Sequence, residues 1–230
     1  LWLAAKLAPL SGNYNICLPV KITGQLDQQA LEQSLNELIK RHDVLRTAFI
    51  ETENGEPAML VGQSLQMALT PEAKNANEFQ SLVQQQQLQA FNLEDAPLFR
   101  VKWYQDSEQH LLVFTIHHII SDAVSLQILL KELAFCYSQF TQKLYPALPA
   151  NPVSYADFAS WQRTVIQGEY LQQQLTFWQK FLQGAPSGKL LTYDKPLLQK
   201  QSYQSATIEH PLPTTLCQQV FSQAKQQRLT

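Results

Sequence analysis

Two histidines and a carboxylate lie close together in residues 117–122, whose sequence is HHIISD. The apolar and β-branched residues before them, 111–116, have the length and composition of a strand that is buried on both faces. Because side chains alternate along a strand, His117 and His118 should point to opposite faces, and only one of them can enter a given cavity. A neutral imidazole, with a reference pKa of about 6.5, is suited to accept a proton from an attacking amine or hydroxyl near neutral pH.

Other interpretations of the same residues stay open at this point. A buried histidine at a strand end is often a hydrogen-bonded core residue, and an Asp before a helix is often only its N-cap. A metal site is not indicated, because adjacent histidines on a strand diverge and no Cys/His pair has zinc-like spacing. Nucleophilic catalysis lacks a clear nucleophile, because Ser125 lies after the pair on the next predicted helix and no Gly-x-Ser-x-Gly motif occurs.

Two predicted elements would position the histidine pair. Residues 98–104 and 110–118 flank the polar turn 105–109 and are predicted to form an antiparallel hairpin. After Asp122, apolar residues recur at three and four positions, which predicts an amphipathic helix with Ser121 or Asp122 as its N-cap. The pair should therefore lie at a junction between a strand and a helix.

The rest of the chain also alternates between predicted strands and helices. The strands are predicted around Val20 and Ile22 and over residues 44–51, 58–61, 65–70 and 202–210. The helices are predicted after an N-cap at Asp27, over residues 77–91, 155–167 and 169–182, and after Pro213.

Composition narrows the classes of protein. The content of 45% hydrophobic residues in 230 is that of a globular protein with one substantial core. A net charge of −2 without a basic stripe argues against a nucleic-acid partner, and the absence of an apolar run of transmembrane length argues against a membrane. Cys17, Cys136 and Cys217 are scattered and odd in number, which indicates reduced thiols and predicts a cytoplasmic location.

The sequence resembles the condensation domains of nonribosomal peptide synthetases, which belong to the chloramphenicol acetyltransferase-like superfamily. Residues 117–122 match the family's HHxxxD core, residues 41–49 (RHDVLRTAF) resemble its RHExLRTxF motif, and residues 155–162 (YADFASWQ) resemble YxDFAxWQ. Weaker matches are Leu1-Trp2 with Tyr14-Asn15-Ile16, and Phe91-Asn92-Leu93 with Pro97-Leu98-Phe99-Arg100. The motifs occur in the family's order and span essentially the whole chain.

The resemblance implies an α/β (α+β, two-layer) fold: a chloramphenicol acetyltransferase-like lobe with a mixed sheet covered by helices. In that fold two similar lobes face each other, and the active histidine lies in the tunnel between them. Residues 1–200 are then expected to be the N-terminal lobe, truncated at its start, and residues 201–230 the crossover and the beginning of the C-terminal lobe. With the remainder absent, the fragment by itself is expected to be inactive.

The resemblance also implies a function, in which an acceptor amine attacks a donor thioester and an amide bond forms. His118 is expected to accept the amine proton or to orient the amine, while His117 braces the strand. Phosphopantetheine arms of partner carrier domains would supply both substrates, with no cofactor bound covalently to this chain and no metal. The expected partners are those carrier domains, the missing C-terminal lobe and neighbouring synthetase domains.

Several supporting residues follow from the matched motifs. Arg46 is predicted to pair with Asp122, because a carboxylate beside the active histidine would otherwise be buried unpaired. Arg41 and His42 lie at a predicted helix end, where cations favour the helix dipole, so structural roles are expected for both. Core packing and helix capping are the expected roles of a further set, Tyr155, Asp157, Phe158 and Trp161.

This sequence departs from the family pattern after Asp122, where Ala123 and Val124 replace the usual Gly and frequent Trp. A Cβ at position 123 would cost about 1 kcal/mol or more if the backbone there needed a positive φ, but would be harmless in the first turn of a helix. This departure leaves open a non-catalytic condensation-like module that binds carriers. An acyltransferase that uses acyl-CoA also stays open, because it would share the HHxxxD core.

Overall fold

The computed structural model describes residues 1–8, 11–107, 109–151, 153–185, 208 and 210–229. The chain divides into two compact units, Leu1–Ala185 and Pro186–Thr230. In chain order the helices and strands are α1 (Trp2–Leu7), β1 (Asn15–Thr23), α2 (Gln28–Arg41), β2 (Thr47–Glu51), β3 (Pro57–Val61), β4 (Glu72–Ala73), α3 (Phe79–Leu88), β5 (Phe99–Gln105), β6 (Gln109–His117), α4 (Ala123–Thr141), α5 (Tyr155–Val165), α6 (Gly168–Phe181) and α7 (Thr214–Gln226).

The main sheet has four strands in the order β1-β6-β5-β4. Strand β6 pairs antiparallel with both β1 and β5, whereas β4 pairs parallel with β5, so the sheet is mixed. Strands β2 and β3 form a separate antiparallel hairpin. The predicted hairpin that leads to the histidine pair is confirmed as β5 and β6, joined by the polar turn.

Both faces of β6 are buried, as its composition predicts. On one face Leu112, Phe114 and Ile116 pack in a cluster with the apolar residues of α2 and α4, and on the other face Leu111 and Val113 pack with residues of α3. The predicted α/β (α+β) fold with a mixed sheet covered by helices is confirmed. The helices cover both faces of the sheet rather than one, which adds a layer to the predicted two.

Helix α2 forms where the sequence predicts it, because Asp27 accepts a hydrogen bond from the backbone N–H of Ala30 at 3.0 Å. The segment 65–70, predicted as a strand, has no strand structure. Its backbone pairs instead with side chains of α2: the N–H of Met67 donates to Asn36, and the N–H of Leu69 donates to Glu32. These side chains satisfy groups that a neighbouring strand would otherwise satisfy.

Other predicted boundaries differ by small amounts. Residues 44–46, predicted as the start of a strand, belong to a 3₁₀ turn over residues 43–46 before β2, and helix α3 ends at Leu88 instead of 91. Helix α7 begins directly after Pro213, as predicted. The strand predicted over residues 202–210 lies outside the described residues except at positions 208 and 210, which are not in a strand.

Helix α5 begins with a local capping signal, and both α5 and α6 have exposed apolar residues. Ser154 and Asp157 form a reciprocal capping box at the start of α5, so the predicted capping role of Asp157 is confirmed. The predicted core packing of Phe158 and Trp161 is wrong, since their residues are 41% and 58% exposed. None of the described helices combines the length and the apolar character needed to span a membrane.

Candidate active site

The end of β6 is held by the backbone on both sides. The N–H of His117 donates to the carbonyl of Leu98 at 2.9 Å, and the N–H of His118 donates to the carbonyl of Tyr14 at 2.7 Å. The chain then turns tightly, because the N–H of Ile120 donates back to the carbonyl of His117 at 3.0 Å. Since the segments that contain Leu98 and Tyr14 both form hydrogen bonds with this backbone, the two histidine side chains have fixed and opposite directions.

His118 is exposed, and its ring has one defined hydrogen bond. Its Nδ1 lies 2.8 Å from the carbonyl oxygen of Ser121. A carbonyl oxygen only accepts, so Nδ1 must carry the proton, and in the neutral ring Nε2 keeps its lone pair. No described residue forms a hydrogen bond with Nε2. The ring is therefore oriented by the turn and can accept a proton at Nε2.

An open cleft of about 450 Å³ surrounds the His118 ring. Much of its wall is apolar and comes from β6, the turn and α4, including Ile116, Ile120 and Leu129. The polar side chains that also line it are His42, Ser121, Asp122, Ser125 and Tyr155. An apolar wall with a few polar groups is typical of a small-molecule site.

His117 occupies the opposite, buried face and is 3% exposed. Its Nδ1 accepts a hydrogen bond from the N–H of Ile119 at 3.1 Å, and its ring lies near the rings of Tyr14 and Phe91. Burial, together with the charge of His118, lowers the pKa of His117 from 6.5 to about 4. This histidine is therefore neutral at pH 7, and it stabilises the turn from the buried face of the strand by accepting the hydrogen bond from Ile119.

Asp122 caps helix α4, and its carboxylate accepts hydrogen bonds from Ser125. Its Oδ1 accepts from the backbone N–H of Ser125 at 2.8 Å and from the Ser125 hydroxyl at 2.6 Å. These two hydrogen bonds, and to a smaller extent the charge of His118, lower the pKa of the Asp122 carboxyl group. Ala123 is the first residue of α4 and does not have a positive φ, so its Cβ causes no backbone strain.

The predicted pair between Arg46 and Asp122 is wrong. The guanidinium of Arg46 donates to the carbonyls of Ile39 at 2.8 Å and Lys40 at 3.0 Å, and to the carbonyl of Gly62 at 2.8 Å. The Arg46 side chain also pairs with Asp43. The last carbonyls of a helix lack intrahelical donors, and Arg46 lies only five residues beyond the end of α2, so it satisfies them first.

Sequence reasoning missed three contributors to the site. The carbonyl of Ser121 orients His118, and a backbone atom leaves no signal in residue types. Ser125 was considered only as a nucleophile, although its position three residues after Asp122 is the spacing of an N-cap contact. Glu132 contacts His42 from α4, and nothing in the local sequence indicates that contact. The described residues include no group of three or more potential ligands that could hold a metal ion.

Comparison with known proteins identifies the family. A family model described as the condensation domain matches residues 1–230, so this chain belongs to the condensation domain family and the resemblance is confirmed. A linear gramicidin synthase protein of Brevibacillus parabrevis is 34% identical over 100% of this chain, which corresponds to 3% of that protein. Surfactin synthase subunit 2 of Bacillus subtilis (strain 168) is 36% identical over 80% of this chain, which corresponds to 5% of that protein.

Solved structures support the fold. The X-domain from teicoplanin biosynthesis, in complex with OxyB, matches with a TM-score of 0.77 and 24% identity over 85% of this chain and 44% of that chain. The starter condensation domain of rhizomide synthetase RzmA matches with a TM-score of 0.67 and 23% identity over 81% of this chain and 46% of that chain. This chain thus spans less than half the length of these structures.

The separate roles of Arg46 and Asp122 predict additive effects on stability. In a complete condensation domain, Arg46→Ala should cost about 2–3 kcal/mol, because it leaves the α2 carbonyls unsatisfied, and Asp122→Asn about 1 kcal/mol or less. Urea denaturation of the double variant should give the sum to within about 0.5 kcal/mol. Asp122→Asn combined with Ser125→Ala is the matched control, and its effects on the free energy of unfolding should not be additive because these two side chains are in direct contact. A coupling free energy above about 1 kcal/mol between Arg46 and Asp122 would contradict their separate roles and support the predicted ion pair.

The low pKa of His117 predicts a pH-dependent stability. Between pH 6.5 and about 4 the unfolded chain binds a proton at His117 that the folded chain does not. The contribution of neutral His117 to the free energy of unfolding is therefore complete above pH 6.5. It is lost as the pH falls towards 4, and the total loss is up to about 3 kcal/mol. His117→Asn keeps an acceptor for Ile119 but cannot titrate, so its free energy of unfolding should fall less over this pH range. Equal pH slopes for the two proteins would contradict the assignment.

Proposed function

We propose that this chain supplies the active histidine of a condensation domain that forms an amide bond between a donor acyl or peptidyl thioester and an acceptor aminoacyl thioester. The observation that supports this most directly is the Nε2 lone pair of His118, which accepts no hydrogen bond from any described residue and lies in an open, largely apolar cleft. The family membership supports the same type of reaction.

In the proposed reaction the acceptor amine attacks the carbonyl carbon of the donor thioester. The C–N bond forms and the C–S bond breaks, so the departing sulfur leaves as a thiolate. Nε2 of His118 accepts the proton that the amine must lose, and that proton can then neutralise the thiolate. The hydrogen bond from Nδ1–H to Ser121 stabilises the ring orientation while Nε2 changes its protonation state.

The other predicted site residues act on His118 indirectly in this proposal. His117 supports the turn through Ile119, and Asp122 fixes the start of α4, which forms one wall of the cleft. The negative charge of Asp122 near His118 would favour the imidazolium that forms after proton transfer. Arg46 contributes only by holding the end of α2, the helix that precedes His42.

The partners are proposed from the family. Carrier domains would deliver both thioesters on phosphopantetheine arms, and the neighbouring domains of a cytoplasmic synthetase would surround this one. Residues 1–200 would form the N-terminal lobe and residues 201–230 the start of the second lobe. The isolated 230-residue chain should then have little activity, because solved structures of this fold are more than twice as long as the part it matches.

His118→Ala in the complete domain tests the proposed role. Condensation between loaded carriers should fall by about 10²–10⁴-fold, while the melting temperature should stay unchanged because the ring is exposed. Gln127→Ala, an exposed position on α4 outside the cleft lining, is the control and should keep the wild-type rate. Condensation by His118→Ala at the wild-type rate would remove His118 from the mechanism.

The same assay separates the alternatives. Wild-type protein given acyl-CoA instead of a loaded donor carrier should make no product. Equal turnover with acyl-CoA would indicate the acyl-CoA-dependent acyltransferase, and carrier binding without any turnover would indicate the non-catalytic module. Either result would contradict the proposed condensation activity.

A further inference from the structure

A second histidine lines the same cleft and is held by a carboxylate from α4. Both oxygens of Glu132 lie 3.1 Å from Nε of Arg41, and Oε2 lies 2.6 Å from Nε2 of His42. The Glu132 and Arg41 side chains are only 16% and 13% exposed. A contact shielded to this degree from water is worth more than a surface ion pair, so it can fix the end of α2 against α4.

The hydrogen bonds of Asn151 determine which nitrogen of His42 carries the proton. Nη2 of Arg41 donates to Oδ1 of Asn151 at 2.8 Å, and because arginine only donates, this contact fixes the orientation of the amide. Nδ2 of Asn151 then faces Nδ1 of His42 at 3.4 Å, and because Nδ2 only donates, Nδ1 must be unprotonated. His42 therefore has its proton on Nε2 and donates it to Glu132.

The group also balances its charge. Arg41 is positive, Glu132 is negative and His42 is neutral in this tautomer, so these three side chains together carry no net charge. The tautomer of His42 is the reverse of that of His118, whose proton is on Nδ1. Both nitrogens of His42 have partners, whereas Nε2 of His118 has none among the described residues, so of these two imidazoles that of His118 can accept a proton from substrate.

The same contacts connect three parts of the cleft wall. Arg41 and His42 are at the end of α2, Glu132 is on α4, and Asn151 lies four residues before Tyr155, which also lines the cleft. A change at Glu132 would thus affect the position of His42 directly and the rim near Tyr155 through Asn151. It would not touch the turn that orients His118.

We propose that Glu132 is a positioning residue, which with Arg41 and Asn151 holds His42 as a neutral, proton-donating imidazole and sets the shape of the cleft wall that receives the acyl chains. The kinetic part of this proposal rests on the proposed condensation function. The state of His42 does not, and it can be measured without turnover.

Glu132→Gln in the complete condensation domain is the test, because it keeps the side-chain shape and removes the charge. With ¹⁵N-labelled histidine, wild-type His42 should give a single neutral tautomer protonated on Nε2, and the variant should give a mixture. The KM for the loaded acceptor carrier should rise by about five- to tenfold while kcat changes less than about twofold, since His118 is not affected. Asn151→Ala, at an exposed position, removes the donor to Nδ1 while Glu132 still accepts from Nε2, so it should change the signal of Nδ1 alone, and it decides the question by itself if Glu132→Gln does not fold.

Tyr145→Phe is the matched control. The Tyr145 hydroxyl donates to Glu37 at 2.7 Å and ties the same segment after α4 to α2, but neither residue lines the cleft. This variant should leave both the His42 signal and the KM unchanged. The proposal is overturned if Glu132→Gln leaves both readouts at wild-type values, or if Tyr145→Phe reproduces its effects. A wild-type domain without condensation activity but with the stated His42 signal would reject the proposed function alone.

Discussion

The site depends on how the backbone is paired where β6 ends. Carbonyls of Leu98 and Tyr14 accept the N–H groups of His117 and His118 from opposite sides, so neither residue can rotate about the strand axis. Strand alternation then places one ring in the core and the other in the cleft. The buried ring is neutral and supports the turn, and the turn presents the Ser121 carbonyl to the exposed ring. One strand end therefore sets both the position and the tautomer of His118.

The charges of Asp122 and Arg46 are satisfied by groups near each of them in the sequence, not by each other. Asp122 accepts hydrogen bonds from Ser125 in the first turn of α4, and Arg46 donates hydrogen bonds to carbonyls at the end of α2. At these two helix ends the bound side chain has the sign of charge that the helix dipole favours. Within the described part of the chain, neither Asp122 nor Nε2 of His118 has a cationic hydrogen-bond partner, and the hydrogen bonds from Ser125 hold the pKa of the Asp122 carboxyl group low.

Local patterns in the sequence were sufficient for much of this architecture. The continuous apolar run over residues 111–116 predicted both buried faces of β6. Asp27, and Ser121 or Asp122, predicted two helix starts because an N-cap contact spans only three residues. Pairing over long sequence distances could not be predicted in this way. His110, for example, lies between Trp103 and the carbonyl of Gly24, 86 residues away, and residue types alone do not indicate that contact. The Arg46 prediction failed for the same reason, since matched motif positions do not specify which groups compete for a guanidinium.

The central claim is that the Ser121 carbonyl holds the proton of His118 on Nδ1 and leaves Nε2 open to the cleft. Neutron diffraction from crystals of the complete condensation domain, grown near neutral pH, would show this proton directly. The account predicts nuclear density for a proton on Nδ1 directed at the Ser121 oxygen and none on Nε2. A proton on Nε2, or a ring turned away from Ser121, would contradict it.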